Sequence, residues 1–378
     1  MANNIQEVMS GKNINFLIGS GASMPYLSTL SLGDCLPSFE NVVSSDYISD
    51  LNKKLLYIYY FEKWISKMAI DKRAFGESGN VGKNYLSFIE FLCYYLHREG
   101  NERPKRINIF TTNYDLFFER TFDMMSENSS ISFYNDGSRG FIDRYLSISN
   151  YHLNVSHSGV NDFFKREIPT INLFKLHGSV SWKRDGNKIR IDYTNQEIKK
   201  IKKLVNKYFT NLSSEIDLIF AEISKLKISS ETMLLTTIED KLSLFTKDNK
   251  FKSEDISSIF DNYKELPIIN PNKWKFNRTV FEQHYYQLLR ELNYELERED
   301  SMLIVFGFSF QDEHILDIVK RSLVNPKLHM IVICFDEKMK TTIMSLFPEY
   351  PSIEYISIEN ESGDFSFLNN WLRGKSNV

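Results

Sequence analysis

Four short polar segments carry the side chains able to do chemistry. They are Gly19-Ser20-Gly21-Ala22-Ser23, Thr111-Thr112-Asn113-Tyr114-Asp115, His177-Gly178-Ser179 and Gly307-Phe308-Ser309-Phe310-Gln311-Asp312-Glu313-His314. Glycines placed after a strand let the backbone turn sharply and come close to a phosphate. The free N–H groups and positive dipole end of a following helix would then receive its charge. Met24 stands where a dinucleotide fingerprint has its third glycine. Asn113 and Asp115 either cap the helix expected from Leu116 or face a ligand. A lone histidine such as His177 is more often structural than catalytic. Asp312 suits a helix cap and Ser309 a ligand contact.

These segments share a setting. Each follows an apolar run: Ile14 to Ile18, Ile107 to Phe110, Ile171 to Leu176 and Met302 to Phe306, with further runs at His329 to Phe335 and Ile353 to Ile358. Short, unalternating runs of Ile, Val and Phe predict strands buried on both faces, as in parallel sheets. Open α/β sheets bind ligands at the carboxyl ends of their strands, which is where the four segments fall. Apolar spacing of three and four predicts helices over Phe39 to Ile70, Tyr85 to His97 and Gln283 to Arg298, and a short amphipathic helix over Phe365 to Leu372. A Lys-, Leu- and Ile-rich stretch from Asn195 to about Tyr263, ahead of Pro267-Ile268-Ile269-Asn270-Pro271, reads as a helical insertion. Residues Tyr134 to His157 read as a loop, with a turn at Asn135-Asp136-Gly137-Ser138. The expected fold is α/β, a Rossmann-like parallel sheet forming one domain over 1–378, with a helical segment at 39–100 and a helical insertion at 195–263.

Composition removes several function classes. Of 378 residues 42% are hydrophobic, an ordinary value for a globular chain, and the 29 Phe and 20 Tyr imply aromatic-rich cores or interfaces. A formal charge of −3 gives no strong signal for direct nucleic-acid binding. The basic run Lys199-Lys200-Ile201-Lys202-Lys203 reads as a solvated helix face. Cys35, Cys93 and Cys334 form no C-x-x-C pair, so neither a cysteine zinc site nor a disulfide framework is expected, and a reducing cytoplasm fits. No signal core and no apolar run of about 20 residues is present, so no membrane role is expected.

Taken in order, Gly-Ser-Gly-Ala-Ser, Thr-Thr-Asn-Tyr-Asp, Leu-His-Gly-Ser and Gly-Phe-Ser-Phe resemble the sirtuin superfamily. Its patterns are a Gly-Ala-Gly-x-Ser loop, a Thr-Gln-Asn-Ile-Asp turn, a catalytic His-Gly and a Gly-Thr-Ser turn. The resemblance runs from about Asn13 to about Phe335. It departs at three places. The paired cysteines of the deacylase zinc module are missing, Thr112 replaces Gln, and Leu36-Pro37-Ser38-Phe39-Glu40 lacks the Arg of the Ile-Pro-Asp-Phe-Arg segment. With these departures the chain looks like the sirtuin-like NAD hydrolases of bacterial anti-phage defence, which deplete NAD on infection.

That resemblance implies NAD as substrate, no other cofactor and no zinc. It implies Asn113 and His177 as catalytic residues. Asn113 would hold the nicotinamide ribose and a water, and His177 would act as the base, since an imidazole can take a proton near neutral pH. Gly19, Ser20, Gly21, Ala22 and Ser23 would cradle the pyrophosphate. Thr112 and Gly307 would line the NAD site, Asp115 would hold the carboxamide or orient the site, and Ser309 would contact a phosphate or ribose. Asp312 and His314 are left as groups supporting the site, with helix capping the alternative for Asp312. The chain length resembles the stand-alone subunit that works with a separate HerA-like ATPase, and a homo-oligomer is expected. An NAD-dependent lysine deacylase and a non-catalytic NAD or ADP-ribose sensor are the alternatives.

Overall fold

The computed structural model describes residues 5–28, 32–33, 36–100, 104–127, 131–269, 279–357 and 362–375. In chain order the elements begin with α1 (Ile5–Met9), β1 (Asn13–Ile18), α2 (Phe39–Ser44), α3 (Asp50–Lys63), α4 (Lys72–Glu77), α5 (Asn80–Arg98), β2 (Arg106–Thr111) and α6 (Phe117–Glu127). Then follow β3 (Phe133–Asn135), β4 (Ser138–Arg139), β5 (Arg144–Leu146), β6 (Ser156–His157), β7 (Arg166–Glu167), β8 (Thr170–Lys175), β9 (Trp182–Asp185) and β10 (Lys188–Ile191). The remainder is α7 (Gln196–Tyr208), α8 (Leu212–Lys225), α9 (Glu231–Asp248), α10 (Ser253–Tyr263), α11 (Thr279–Glu297), β11 (Ser301–Phe306), α12 (Glu313–Ser322), β12 (His329–Ile333), α13 (Glu337–Leu346), β13 (Glu354–Ile356) and α14 (Phe365–Leu372).

The chain divides into two compact units, one of residues 1–26, 70–178 and 280–378, the other of 27–69 and 179–279. The first holds a seven-stranded sheet in the order β13-β12-β11-β1-β2-β8-β3, and every pairing in it is parallel. The central strands are buried along nearly their whole length, which is why they read as apolar runs without alternation. Around them Phe16 meets Phe88 at 5.0 Å, Tyr85 stacks on Phe117 at 4.9 Å, and Phe365 of α14 touches Phe306 and Phe88. The chain leaves β1 toward β2 on one side and later returns to lay β11 on the other. The direction of winding therefore reverses between β1 and β11, the place where open α/β sheets bind their ligands.

Polar residues interrupt the apolar strands in one line. The register sets Asn15 beside Asn108, Asn108 beside Asn172 and Asn172 beside Asn135. Asn135 donates to Asn172, Asn172 to Asn108 and Asn108 to Asn15, each at 2.9 Å. Asn15 donates to Ser301 Oγ at 3.2 Å, and Ser301 to the Glu295 carbonyl at 2.8 Å. All five side chains are buried, so each must have its partner.

Two readings are corrected within this unit. Part of the expected loop 134–157 is an edge strand, β3, aligned with β8 from Phe133 to Asn135. The strand expected over His329 to Phe335 ends at Ile333, and that over Ile353 to Ile358 is confined to Glu354–Ile356, with Ile358 outside the described residues. Asn270 and Pro271 also lie outside them.

The second unit is helical around α3, with a β9–β10 hairpin. Leu55 to Phe61 are all buried, so α3 is apolar all round and sits among α7, α8, α9 and α10. Its polar atoms are matched: Tyr59 Oη and Lys63 Nζ both reach Asp217 Oδ1, at 2.6 and 2.5 Å, and Asn52 Nδ2 donates to Ser243 Oγ at 2.9 Å. The helix expected over Phe39 to Ile70 is two α-helices and a 3₁₀ turn, because Ser38 and Ser49 each cap a new start. Residues 195–263 form α7 to α10, and the segment 39–100 is shared between the two units. Among the described residues no helix is long and apolar enough to cross a membrane, and no three His, Cys, Asp or Glu side chains are grouped to hold a metal ion.

Candidate active site

The turns after β1 and β11 meet backbone to backbone at the reversal point. Gly19 N donates to Phe306 O, and Gly21 N to Gly307 O, both at 3.0 Å. A Cβ on Gly19 would lie 2.3 Å from Gly307 O, and one on Gly21 would lie 2.7 Å from Gly307 Cα. Gly307 itself has φ +64. The glycines are thus required by the close approach of two strand ends. Sequence reasoning expected a helix N-terminus with free amides here. The segment is instead the four-residue 3₁₀ turn Ser20–Ser23, and the amides of Gly19, Gly21 and Ala22 are bound to Phe306, Gly307 and Gly19 carbonyls. Ser20 is left exposed at its tip.

The turn after β2 brings Asn113 and Asp115 against Ser23. Thr111 Oγ1 bonds Ile18 O and accepts the Asn113 amide, and Thr112 N donates to Ile18 O, so β1 holds the turn. Asn113 is 7% exposed. Its Nδ2 donates to Gly19 O at 3.1 Å and to Ser23 Oγ at 3.3 Å. A carbonyl can only accept, so the atom facing Gly19 O must be the amide nitrogen, and Oδ1 bonds no described residue. Ser23 Oγ donates to Asp115 Oδ2 at 2.8 Å, which leaves the Tyr85 hydroxyl, 2.9 Å away, to donate to Ser23. Burial and the neighbouring Asp115 hold the Tyr85 hydroxyl well above its usual range, so it stays a donor. Asp115 Oδ1 accepts the Phe117 amide at 3.1 Å, so this carboxylate caps α6 and ties down Ser23 together. The described contacts of Asp115 are thus with Ser23 and the start of α6.

Beneath this turn lies Lys175, the last residue of β8, its side chain 3% exposed. Its Nζ donates to Asn113 O at 3.3 Å and to Asp115 O, and pairs with Glu119 Oε1 at 3.2 Å. Three donors meet three acceptors, as a buried ammonium requires. Burial pushes the Glu119 carboxyl up to about 7 in spite of Lys175.

His177 follows one residue after the Leu176 amide bonds Thr111 O at 2.8 Å. Its ring lies 6.5 Å from Tyr114 and 6.3 Å from Tyr285 of α11, centroid to centroid. Nε2 is 3.1 Å from Asp312 Oδ2, with the oxygen off the line of the ring N–H. Asp312 Oδ1 caps α12 by accepting the Ile315 amide at 2.9 Å. Burial acts to raise the Asp312 carboxyl, but His177 and the Ile315 amide outweigh it and hold it below its usual value.

The structure therefore joins Gly19, Gly21, Ser23, Asn113, Asp115 and Gly307 by direct contact, and Thr112 through its backbone. Ala22 is buried in the turn, Ser309 and His314 are exposed, and Ser309 bonds no described residue. Tyr85, Lys175, Glu119 and Tyr285 were missed from the sequence. Lys175 alone left a signal there, a lysine ending a run of buried residues.

No curated protein matches the sequence. Residues 107–224 match the family model of the SIR2-like domain, a span that starts in β2 and contains Asn113, Asp115, Lys175 and His177, and to that domain the chain is similar.

Proposed function

We propose that the protein is an NAD glycohydrolase, which cleaves the nicotinamide–ribose bond with water and releases nicotinamide and ADP-ribose. The observation that carries this reading is the Asn113 carboxamide. Its nitrogen is anchored on Gly19 and Ser23, and its oxygen is left for a ligand at the reversal point of the sheet. Similarity to the SIR2-like domain over 107–224 supports NAD as the ligand.

The nicotinamide of NAD carries the positive charge and leaves as a neutral base with the C1′–N bonding pair, so the charge passes to the ribose in an oxocarbenium-like state. Asn113 Oδ1 accepts a hydrogen bond from the ribose or from the attacking water and holds it in place. His177 takes the proton as water adds. The exposed Ser20 and Ser309 hydroxyls, one on each glycine-containing turn, serve the phosphates. The biological setting proposed with this chemistry is NAD depletion in anti-phage defence, by a homo-oligomer acting with a HerA-like ATPase.

The test incubates purified protein with NAD, with and without an acetyl-lysine peptide and the ATPase. Nicotinamide and free ADP-ribose in equal amounts without peptide are expected. Asn113→Ala and His177→Ala are each expected to lower turnover at least 100-fold, about the contribution of a positioned acid–base group. NAD loss only with peptide would show a deacylase instead.

A further inference from the structure

The geometry points to Asp312 as the positioning residue for the His177 imidazole, fixing its proton on Nε2 and leaving Nδ1 as the basic nitrogen. This rests on the base role given to His177 above. A helix cap needs one carboxylate oxygen, and Asp312 Oδ1 fills that role on Ile315. Capping leaves the second oxygen without a task, yet Oδ2 is placed 3.1 Å from Nε2. The cap itself aims it: with Oδ1 tied to the first turn of α12, the carboxylate plane has little freedom.

On the ring side, Tyr114 and Tyr285 flank the imidazole, and Nδ1 bonds no described residue. A carboxylate beside one ring nitrogen draws the proton there and leaves the lone pair on the other. Asp312 belongs to the turn after β11, and His177 to the turn after β8. The pair thus links a strand on one side of the reversal point to a strand on the other. Among the described residues the charged group placed against the ring is Asp312, on which His314 acts in turn.

The experiment separates the cap from the charge. Asn and Ser both cap helices well, so Asp312→Asn and Asp312→Ser keep α12. Asn removes the charge, and Ser in addition is too short to reach the ring. The chain has seven histidines, so histidine-labelled protein gives few ring ¹⁵N signals, and His177→Gln identifies those of His177. Wild type is expected to show the Nε2–H tautomer at His177, and both variants a mixed or reversed one. NAD turnover in both is expected to fall roughly 100-fold in kcat with little change in KM. Unchanged His177 ring signals in both variants would overturn the assignment and leave Asp312 a helix cap. Altered ring signals with wild-type turnover would establish the contact and instead remove the base role of His177.

Discussion

Gly307→Ala adds one methyl where the β1 and β11 turns touch. The residue sits at φ +64, a left-handed conformation that costs a non-glycine residue about 1–2 kcal/mol. The new Cβ would lie 2.8 Å from Ala22 N and 3.0 Å from Gly21 C and Cα. These are backbone atoms and cannot rotate aside, so relief means moving a turn, at about 1–3 kcal/mol. Together the loss is about 2–5 kcal/mol, a large share of the roughly 5–15 kcal/mol that holds a typical domain. Gly76→Ala is the matched control: the same methyl, on α4, meets nothing within 4 Å. It should stabilise by about 0.5–1 kcal/mol, because alanine loses less backbone freedom than glycine in a helix. Hydrogen exchange at the β1 and β11 amides measures the opening of this sheet without assuming that both units unfold together. Protection in Gly307→Ala within 1 kcal/mol of wild type would refute the close-approach account of these glycines. Turnover should fall with the loss of protection, since Gly19 O anchors Asn113.

Three further groups give direct tests. Raising the Glu119 carboxyl to about 7 favours its protonated form in the folded protein, so that contribution to stability is complete below about 4.5 and lost as pH rises through about 7. The urea midpoint of wild type should therefore fall from pH 5 to pH 8 more steeply than that of Glu119→Gln, and parallel slopes would dismiss the idea. Asn108→Ala orphans Asn15 Oδ1 and one N–H of Asn172, whose other N–H keeps the Tyr151 carbonyl, for a loss of about 2–6 kcal/mol in sheet protection. A loss below 1 kcal/mol would mean that those groups find other partners. His284, on α11, is held down to about 4 by burial, so its contribution is present above about 6.5 and lost as pH falls through about 4. Acid unfolding of His284→Gln should accordingly begin at lower pH than in wild type.

Much of the sheet was legible because burial on both faces writes a plain apolar run, and β1, β2, β8 and β11 fall within a residue of those runs. The edge strand β3 was not, since three residues flanked by turn formers have no periodicity to read, and β8 alone holds them. The breaks at Ser38 and Ser49 were written in the sequence as caps, but the apolar spacing on either side hid them. In the site, the chemistry-bearing turns were visible because asparagine, aspartate and histidine are conspicuous after apolar strands. What supports them was not. Tyr85 reaches Ser23 from 62 residues away, and Tyr285 lies on a helix more than 100 residues from His177. Helical spacing says that such residues are buried, and not what they touch. The glycine loop was legible as a turn, but not the contact that demands its glycines: they answer to Gly307, and the amides of Gly19 and Gly21 are spent on the turn that holds it.

The row of asparagines gives the sheet a sense of direction. Each amide passes a hydrogen bond the same way, from Asn135 at the edge to Ser301 and on to the Glu295 carbonyl. A strand slipped by one residue would turn its asparagine to the other face and leave two neighbours unmatched in the dry interior. Apolar side chains tolerate such a slip far better, because one buried isoleucine substitutes for another. The ladder therefore acts as a parity check on assembly, passed only when β1, β2, β8 and β3 are all in step. The strand ends that carry Ser23, Asn113 and His177 are brought level by the same requirement, so an arrangement sensitive to fractions of an ångström is indexed by residues midway along β1, β2 and β8.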